Sequence, residues 1–340
     1  MSKICVVIPA YNASHTIKNV INGAFRYVST VIVADDGSTD NTADIARQQG
    51  AEVISINPNR GKGNALKLLF NRAIEKGFDV AVTLDADEQH DTKDIPRFIK
   101  AHQAYPDALI VGSRMKQHHK IPRTRYNVMY IARFYLSLAA NQFIEDTQCG
   151  YRLYPLSLIK KINLTTERYV TEAEVLIKLG DIGTKIKSLD IDAIYTEKGS
   201  HFHAVNDVTA ITAYIISYLS VKWFIEGLVP DRPYTYSVYK IRDKIAKFKK
   251  IDFIFQTLTA FTGISLSTLF LIEYTVLPPL IGNNFASIRK YRFGFSKITF
   301  ATYMLPAALF LNYLENKFLI NRVKLKLVDN ILERFYPIIW

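Results

Sequence analysis

The chain has 340 residues, 49% of them hydrophobic, and a formal net charge of +12. This length is enough for one large domain or two, and the composition excludes an all-membrane protein. The two cysteines, Cys5 and Cys149, form neither a metal-binding motif nor a disulfide framework, so we expect a reducing, cytoplasmic setting.

The first two thirds of the chain alternate predicted strands and helices. Apolar runs predict strands at residues 3–8, 30–34, 51–56, 78–84 and 109–112. Helices are predicted between them, the first with Ser14 as its N-cap and the third from about Asn64 to Glu75. Repeated βα units predict an α/β fold with a mostly parallel sheet and helices on both faces.

Three polar motifs follow predicted strands, namely DDGSTDNT from Asp35, NPNRGKG with Lys62, and DADEQHD from Asp85. Ligands of such sheets bind at the carboxyl ends of the strands, so the motifs should meet at one edge. Asp85 and Asp87 are separated by one residue, and in an extended segment they would point the same way and could share a cation. Oxygen ligands favour Mg²⁺ or Mn²⁺ over zinc. Such a cation could in turn hold a diphosphate.

Two of these motifs also allow a purely structural interpretation. DDGSTDNT is rich in turn formers and helix caps, and RGKG could be a solvated turn. Two glycines around Lys62 equally suit close approach of the backbone to phosphate, with the lysine as a point charge. The spacing differs from that of a Walker loop.

Taken together, the motifs resemble the catalytic domain of family-2 inverting glycosyltransferases, which have the GT-A fold. The matching segments are VVIPAYN, VADDGSTDNT, RGKGNA, LDADEQHD, GSR at 112–114 and DTQCGYRLY at 146–154. The resemblance covers roughly residues 3–205 and is greatest to the branch that uses dolichyl- or polyprenyl-phosphate acceptors. It implies a GT-A domain over 1–205 and transfer of a hexose from a UDP-glucose- or GDP-mannose-type donor to a polyprenyl-phosphate lipid.

The resemblance also implies roles for individual residues. The implied nucleotide-sugar-binding residues are Pro9, Ala10, Tyr11, Asp35, Asp36, Lys62, Asp85 and Ala86, and the implied metal ligands are Asp85, Asp87 and Gln89. The implied catalytic residues are Asp87, Asp146 and Arg114. The acceptor phosphate would be bound by Arg114 together with Arg123 or Arg125. Asp36 would accept N–H groups of the base, with Asp35 supporting it. His90 would brace its loop, and Glu88 would point away.

Asp146 separates two reactions that the resemblance leaves open. A hydroxyl of a glycolipid or surface polysaccharide would need a general base, and Asp146 would be that base. A phosphate acceptor is already anionic, and Asp146 would then orient the donor or the acceptor. Glu172 and Glu174 could approach the sugar or cap a helix.

The acceptor segment departs from the family pattern. YTEKGSHFH at 195–203 has His201 where the family usually has a lysine, and the upstream arginine is absent. This departure bears on the acceptor more than on the donor. From another class, the chain could be a sugar-nucleotide-binding membrane scaffold that has lost catalysis, although Asp85, Asp87, Gln89 and Arg114 argue against it.

The last third of the chain is basic and apolar. From Lys240 onward there are 15 Lys and Arg against 6 Asp and Glu, whereas residues 1–239 have 28 against 25. Basic segments beside apolar runs suit an anionic membrane surface better than nucleic acid, for which no motif is present. We expect a helical connector at 206–239 and a membrane-associated helical region at 240–340, with the catalytic domain on the cytoplasmic face. A soluble helical oligomerisation domain is the alternative.

Overall fold

The computed structural model describes residues 2–122 and 142–194, with single positions within 126–140 and 211–218. Contacts divide the chain into Met1–Ile211 and Thr212–Trp340, and the fold below belongs to the first unit. The predictions for Arg123, Arg125, His201 and region 240–340 lie outside the described residues, as do those for nearly all of the connector. Within the described part, no helix is long and apolar enough to cross a membrane.

The described chain builds one seven-stranded mixed sheet. Its strands are β1 (Ile4–Ala10), β2 (Val31–Asp35), β3 (Glu52–Ser55), β4 (Val80–Thr83), β5 (Ala108–Ser113), β6 (Arg152–Pro155) and β7 (Lys185–Asp190). Their order is β3-β2-β1-β4-β6-β5-β7. Strands β1 to β4 pair with one another in parallel, as do β5 and β7. Strand β6 is antiparallel to both β4 and β5.

Helices connect the strands. They are α1 (Ile17–Phe25), α2 (Thr42–Gln48), α3 (Lys62–Glu75), α4 (Ile95–Ala104), α5 (Leu156–Ile159) and α6 (Val170–Asp181), with 3-10 turns at Thr92–Asp94 and Met115–Lys120. The chain steps outward from β1 to β3 and then returns to place β4 on the other side of β1. Right-handed crossovers therefore put α3 on the opposite face from α1 and α2 and open a crevice where β1 and β4 meet.

The five predicted strands are confirmed in order, and the α/β class with them. The sheet is less parallel than predicted, because β6 and β7 were not foreseen. Strand β6 has four residues and includes Arg152, whose side chain is fully buried, so it gives no apolar run. The N-cap prediction was wrong, since Thr16 rather than Ser14 precedes α1. The backbone N–H of Ser14 donates instead to Asp40 at 3.1 Å.

Helix α3 holds the RGKG motif at the edge of the sheet. It packs on β1 and β2 and buries Leu66, Leu69 and Phe70. Full burial of side chains of this size stabilises by roughly 1.5–3 kcal/mol each. The helix begins at Lys62, so this packing places the Lys62 side chain beside the carboxyl ends of the central strands.

Helix α6 contains a buried ion pair, and the carboxylate of that pair also attaches the helix to the loop before it. Glu174 lies 2.7 Å from Lys178, and both side chains are almost completely inaccessible to solvent. The Glu174 carboxylate also accepts the backbone N–H groups of Thr165 and Thr166, each at 3.0 Å. Glu174 therefore has a structural role, which the sequence pattern could not distinguish from that of Glu172.

We expect Glu174→Ala to destabilise the fold by about 3–5 kcal/mol, because it leaves Lys178 buried without its carboxylate partner. Denaturant unfolding followed by circular dichroism would measure the change. The exposed Glu75 supplies a control, since Glu75→Ala should change stability by less than about 0.5 kcal/mol. Equal stability of the two variants would contradict the structural role of Glu174.

Candidate active site

The ends of β1, β2 and β4 bring the predicted motifs to one edge. Pro9 and Ala10 lie beside Ala34 and Asp35 in the register of β1 and β2. Leu84, which follows β4, donates its N–H to Val7 at 3.1 Å. The residues after β1, β2 and β4 are therefore neighbours. Ala10 and Ala86 are buried, and Tyr11 is partly buried.

The loop after β2 is held against the loop after β1. The backbone N–H of Asn12 donates to Ser38 at 2.9 Å, and the Asn12 side chain accepts the N–H of Thr39 at 2.8 Å. Asn12 itself has a left-handed backbone with φ of 50°, which asparagine tolerates better than most residues. DDGSTDNT thus does contain the expected turn, and that turn forms part of the rim of the crevice.

Asp36 anchors the RGKG loop. Its two carboxylate oxygens accept the backbone N–H groups of Arg60 at 2.8 Å and Gly61 at 2.6 Å. Burial raises the pKa of Asp36, and these two N–H donors oppose the shift. Gly61 has φ of +86°, a conformation that favours glycine. This bracing presents Lys62 at the start of α3.

The two aspartates of this motif have different surroundings. The resemblance predicts that Asp36 accepts N–H groups of the base, and each of its oxygens already accepts one backbone N–H group. Asp35 lacks a hydrogen bond that it could accept, because its Oδ1 is buried with no hydrogen-bond partner among the described residues. A buried acceptor without a partner destabilises the fold by about 1–3 kcal/mol, so its presence indicates a role other than stabilising the fold.

Lys62 pairs with the acid at the end of β4. Its Nζ lies 2.6 Å from Oδ1 of Asp85 and 3.3 Å from Oε1 of Glu172. Burial would lower the pKa of Lys62, but the carboxylates of Asp85 and Glu172 hold it above its ordinary value. Burial would likewise raise the pKa of Asp85, yet Lys62 brings it down to about 2. Both groups are therefore charged at neutral pH.

The turn after Asp85 is shaped by its own hydrogen bonds. The N–H of Asp85 donates to Nδ1 of His90 at 3.1 Å, and the N–H of Gln89 donates to Oδ1 of Asp87 at 3.1 Å. Burial lowers the pKa of His90 to about 4, so its ring is neutral and can accept. His90 thus braces the loop, while Glu88 accepts a hydrogen bond from Asn19 at 2.8 Å.

Asp87 stands next to Asp85 in this turn. Desolvation and then the nearby Asp85 carboxylate raise the pKa of Asp87. The described residues contain no group of three His, Cys, Asp or Glu side chains arranged for a metal ion. The predicted metal set, however, has two carboxylates and the Gln89 amide, and the further oxygens would come from a bound ligand or from water.

Arg114 and Asp146 pair with each other. Nε and Nη2 of Arg114 donate to the two Asp146 oxygens at 2.8 and 3.1 Å, and the N–H groups of Arg114 and Gln148 add two further bonds. The Asp146 side chain has no solvent exposure. Burial would raise the pKa of Asp146, but Arg114 holds it below its ordinary value. The carboxylate is therefore ionised, fully hydrogen-bonded and a poor proton acceptor.

Arg152 is a site-shaping residue that the sequence did not single out. Its guanidinium donates to the carbonyl oxygens of Cys149 at 2.7 Å, Thr147 at 3.0 Å and Glu172 at 2.9 Å. The DTQCG segment and the start of α6 are thereby joined. The family motif contains this arginine, but only the three-dimensional structure shows that it binds backbone.

A cavity of about 440 Å³ opens beside the Asp36 anchor. It is lined by Asn59, Arg60, Asn64, Glu167 and Arg168. Arg168 has a left-handed backbone, with φ of 54°. The lining is polar, and it includes Arg60, whose backbone N–H donates to Asp36.

Comparisons with known proteins agree with this geometry. The family model described as Glycosyl transferase family 2 matches residues 5–162. The chain is 33% identical over 217 residues to the UDP-N-acetylglucosamine–dolichyl-phosphate N-acetylglucosaminyltransferase of Methanococcus voltae, covering 57% of this chain and 86% of that protein. It is 26% identical over 210 residues to the undecaprenyl-phosphate mannosyltransferase of Micrococcus luteus, covering 58% and 86%.

Among solved structures, glucosyl-3-phosphoglycerate synthase from Mycobacterium tuberculosis in complex with Mn²⁺, UDP-glucose and phosphoglyceric acid superposes with a TM-score of 0.54. The match has 21% sequence identity and covers 64% of this chain and 79% of that one, so it shows a shared GT-A fold. The M. voltae relative, matched over most of its length, establishes the family. The chain belongs to glycosyl transferase family 2 and is a glycosyltransferase.

Proposed function

We propose that this glycosyltransferase moves a hexose from a nucleotide sugar to a polyprenyl-phosphate lipid, with inversion at the anomeric carbon and with a divalent cation required. The observation that carries the choice of acceptor is the Arg114–Asp146 pair. A hydroxyl acceptor would need a carboxylate free to take its proton. Asp146 instead accepts four hydrogen bonds, two of them from the guanidinium of Arg114.

A phosphate acceptor removes the need for a base. Its oxygen is already anionic at neutral pH and can attack the anomeric carbon directly. Asp146 then has the task of orienting Arg114, whose planar guanidinium is suited to phosphate oxygens. The names of two relatives support this acceptor class, since one acts on dolichyl phosphate and the other on undecaprenyl phosphate.

The residues at the end of β4 fit a divalent cation. Asp85, Asp87 and Gln89 offer carboxylate and amide oxygens, which suit Mg²⁺ or Mn²⁺. The Lys62 ammonium at 2.6 Å from Asp85 shows that this position already stabilises positive charge. When bound, the cation would neutralise the diphosphate as it leaves. The solved relative that contains Mn²⁺ supports this reading.

The nucleotide would bind along the ends of β1 and β2. We assign the hydrogen bond to the base N–H to Asp35, because its Oδ1 lacks a partner, and an anchoring role to Asp36. Pro9, Ala10 and Tyr11 would form the facing wall, and Ala86 would lie against the ribose side. Lys62 would supply positive charge to the phosphates.

The basic region 240–340 would attach the enzyme to the cytoplasmic face of a membrane, where the active site would have access to lipid phosphates. Removing residues 240–340 should move the protein from the membrane pellet to the supernatant, because the segment carries the surplus of 15 basic against 6 acidic residues. Fractionation by ultracentrifugation measures the distribution. A truncated protein that still pellets would count against this attachment.

A panel of radiolabelled nucleotide sugars, incubated with the enzyme and total membrane lipid, tests the proposed reaction. One donor should label lipid, and EDTA should abolish the labelling. The product should release its sugar in mild acid, as a sugar phosphate does. An acid-stable lipid glycoside would show that the acceptor is a hydroxyl instead.

Asp87→Asn removes one of the two carboxylates proposed to bind the cation. It should reduce the transfer rate by about 100-fold or more, the order of magnitude expected when electrostatic stabilisation of the transition state is lost. It should also abolish the increase in donor affinity that Mn²⁺ provides. Radiolabel transfer and calorimetric titration of the donor with and without Mn²⁺ measure these effects. Glu88→Gln removes a neighbouring charge that faces Asn19 and should leave both nearly unchanged. Normal Mn²⁺ dependence in Asp87→Asn would refute the metal assignment.

Asp146→Asn should raise the KM for lipid phosphate more than it lowers kcat, because the residue orients Arg114. Loss of a general base would instead reduce kcat by about 10²–10⁴ and remove the corresponding limb of the pH profile. Steady-state kinetics across pH distinguish the two, with thermal unfolding to confirm the fold. A collapse of kcat with an unchanged KM would favour the hydroxyl reaction.

A further inference from the structure

A cluster of three charged side chains joins the predicted metal site to helix α6. Lys62 Nζ lies 2.6 Å from Asp85 and 3.3 Å from Glu172. Asp85 follows β4, whereas Glu172 is in the first turn of α6. Glu172 belongs to none of the sets for metal, nucleotide or acceptor derived above, so its contact with Lys62 needs a separate explanation.

The cluster is closely enclosed. The side chains of Lys62, Asp85 and Glu172 are 17%, 26% and 12% exposed. A Cβ atom at Gly150 would come within 2.7 Å of Asp85 Oδ2 and 2.9 Å of Lys62 Nζ, so the bare backbone of Gly150 forms one wall. The Tyr169 ring lies with its centroid 5.9 Å from Nζ. The ammonium therefore has few positions, and two of them are set by the carboxylates.

An ammonium and a divalent cation cannot both keep a full interaction with one carboxylate. Like charges a few ångströms apart repel appreciably in a partly buried site. A cation bound by Asp85 and Asp87 must therefore compete with Lys62 for Asp85. The Glu172 carboxylate, in the first turn of α6, offers the ammonium a second partner at 3.3 Å.

We propose that Glu172 is a positioning residue that draws Lys62 partly off Asp85 and thereby sets the affinity of the Asp85–Asp87 pair for a divalent cation. The inference rests on the proposed function, in which that pair holds the cation. When no cation is present, the Lys62 ammonium pairs with the Asp85 carboxylate. When the cation binds Asp85, Lys62 moves toward Glu172.

Binding of Mn²⁺ alone tests this without any turnover. The full chain in detergent is titrated with Mn²⁺ in the absence of nucleotide, and free Mn²⁺ is measured by electron paramagnetic resonance. Lys62→Met should tighten Mn²⁺ binding roughly tenfold, because the competing charge is gone, and Glu172→Gln should weaken it by roughly the same factor. The exposed Lys160 and Glu75 provide charge-matched controls, since Lys160→Met and Glu75→Gln should leave the affinity unchanged.

The double variant separates action through Lys62 from a direct effect of the Glu172 charge. If Glu172 acts through Lys62, Glu172→Gln should change Mn²⁺ affinity little in the Lys62→Met background. An equal weakening in both backgrounds would overturn the positioning role. Thermal unfolding of each variant confirms that the compared proteins are folded.

Asp87→Asn distinguishes failure of this inference from failure of the proposed metal site. If wild-type protein binds no Mn²⁺, or Asp87→Asn binds it as well as wild type, both the metal site and the inference fail. If Mn²⁺ binding depends on Asp87 but Lys62→Met leaves it unchanged or weaker, the inference alone is overturned.

Discussion

The ion pair between Lys62 and Asp85 holds the candidate active site in its observed form. The segment 85–91 contains four acidic residues at the end of a buried strand, and desolvation alone would push such carboxyl groups toward the neutral state. Lys62, delivered by the start of α3, brings the pKa of Asp85 down to about 2. An ionised carboxylate is thereby kept where a cation and a diphosphate are proposed to bind.

Other buried charges in the domain also serve placement. The Arg114–Asp146 and Glu174–Lys178 pairs are both nearly inaccessible to solvent. Such pairs seldom stabilise a fold more than apolar residues of similar size would. Their value here is geometric, because Asp146 fixes the plane of the Arg114 guanidinium and Glu174 fixes the loop before α6. Arg152 likewise fixes the positions of two backbone segments, by donating hydrogen bonds to three of their carbonyl oxygens.

These placements relate directly to the chemistry of the transfer. A glycosyltransferase acting on a hydroxyl must keep a carboxylate free for a proton, whereas one acting on a phosphate can use its carboxylates as structural anions. The hydrogen bonds of Asp146 match the second arrangement. Among the described residues, Oδ1 of Asp35 is the only buried carboxylate oxygen without a hydrogen-bond partner, and it lies at the end of β2.

The sequence by itself determined the order of the βα units and the placement of the polar motifs at strand ends. Both are local properties, since apolar runs and the residues that terminate them are read from adjacent positions. Only the tertiary structure assigned partners within those motifs. Glu172 and Glu174 share one short segment, but Glu172 contacts Lys62 of the candidate active site and Glu174 contacts the buried Lys178. Likewise, Asp36 accepts backbone N–H groups, whereas Oδ1 of Asp35 has no partner among the described residues. The Arg114–Asp146 pair spans 32 positions, and β6 enters the sheet antiparallel around a buried arginine. Such long-range contacts depend on how distant elements pack, and no local pattern in the chain encodes them.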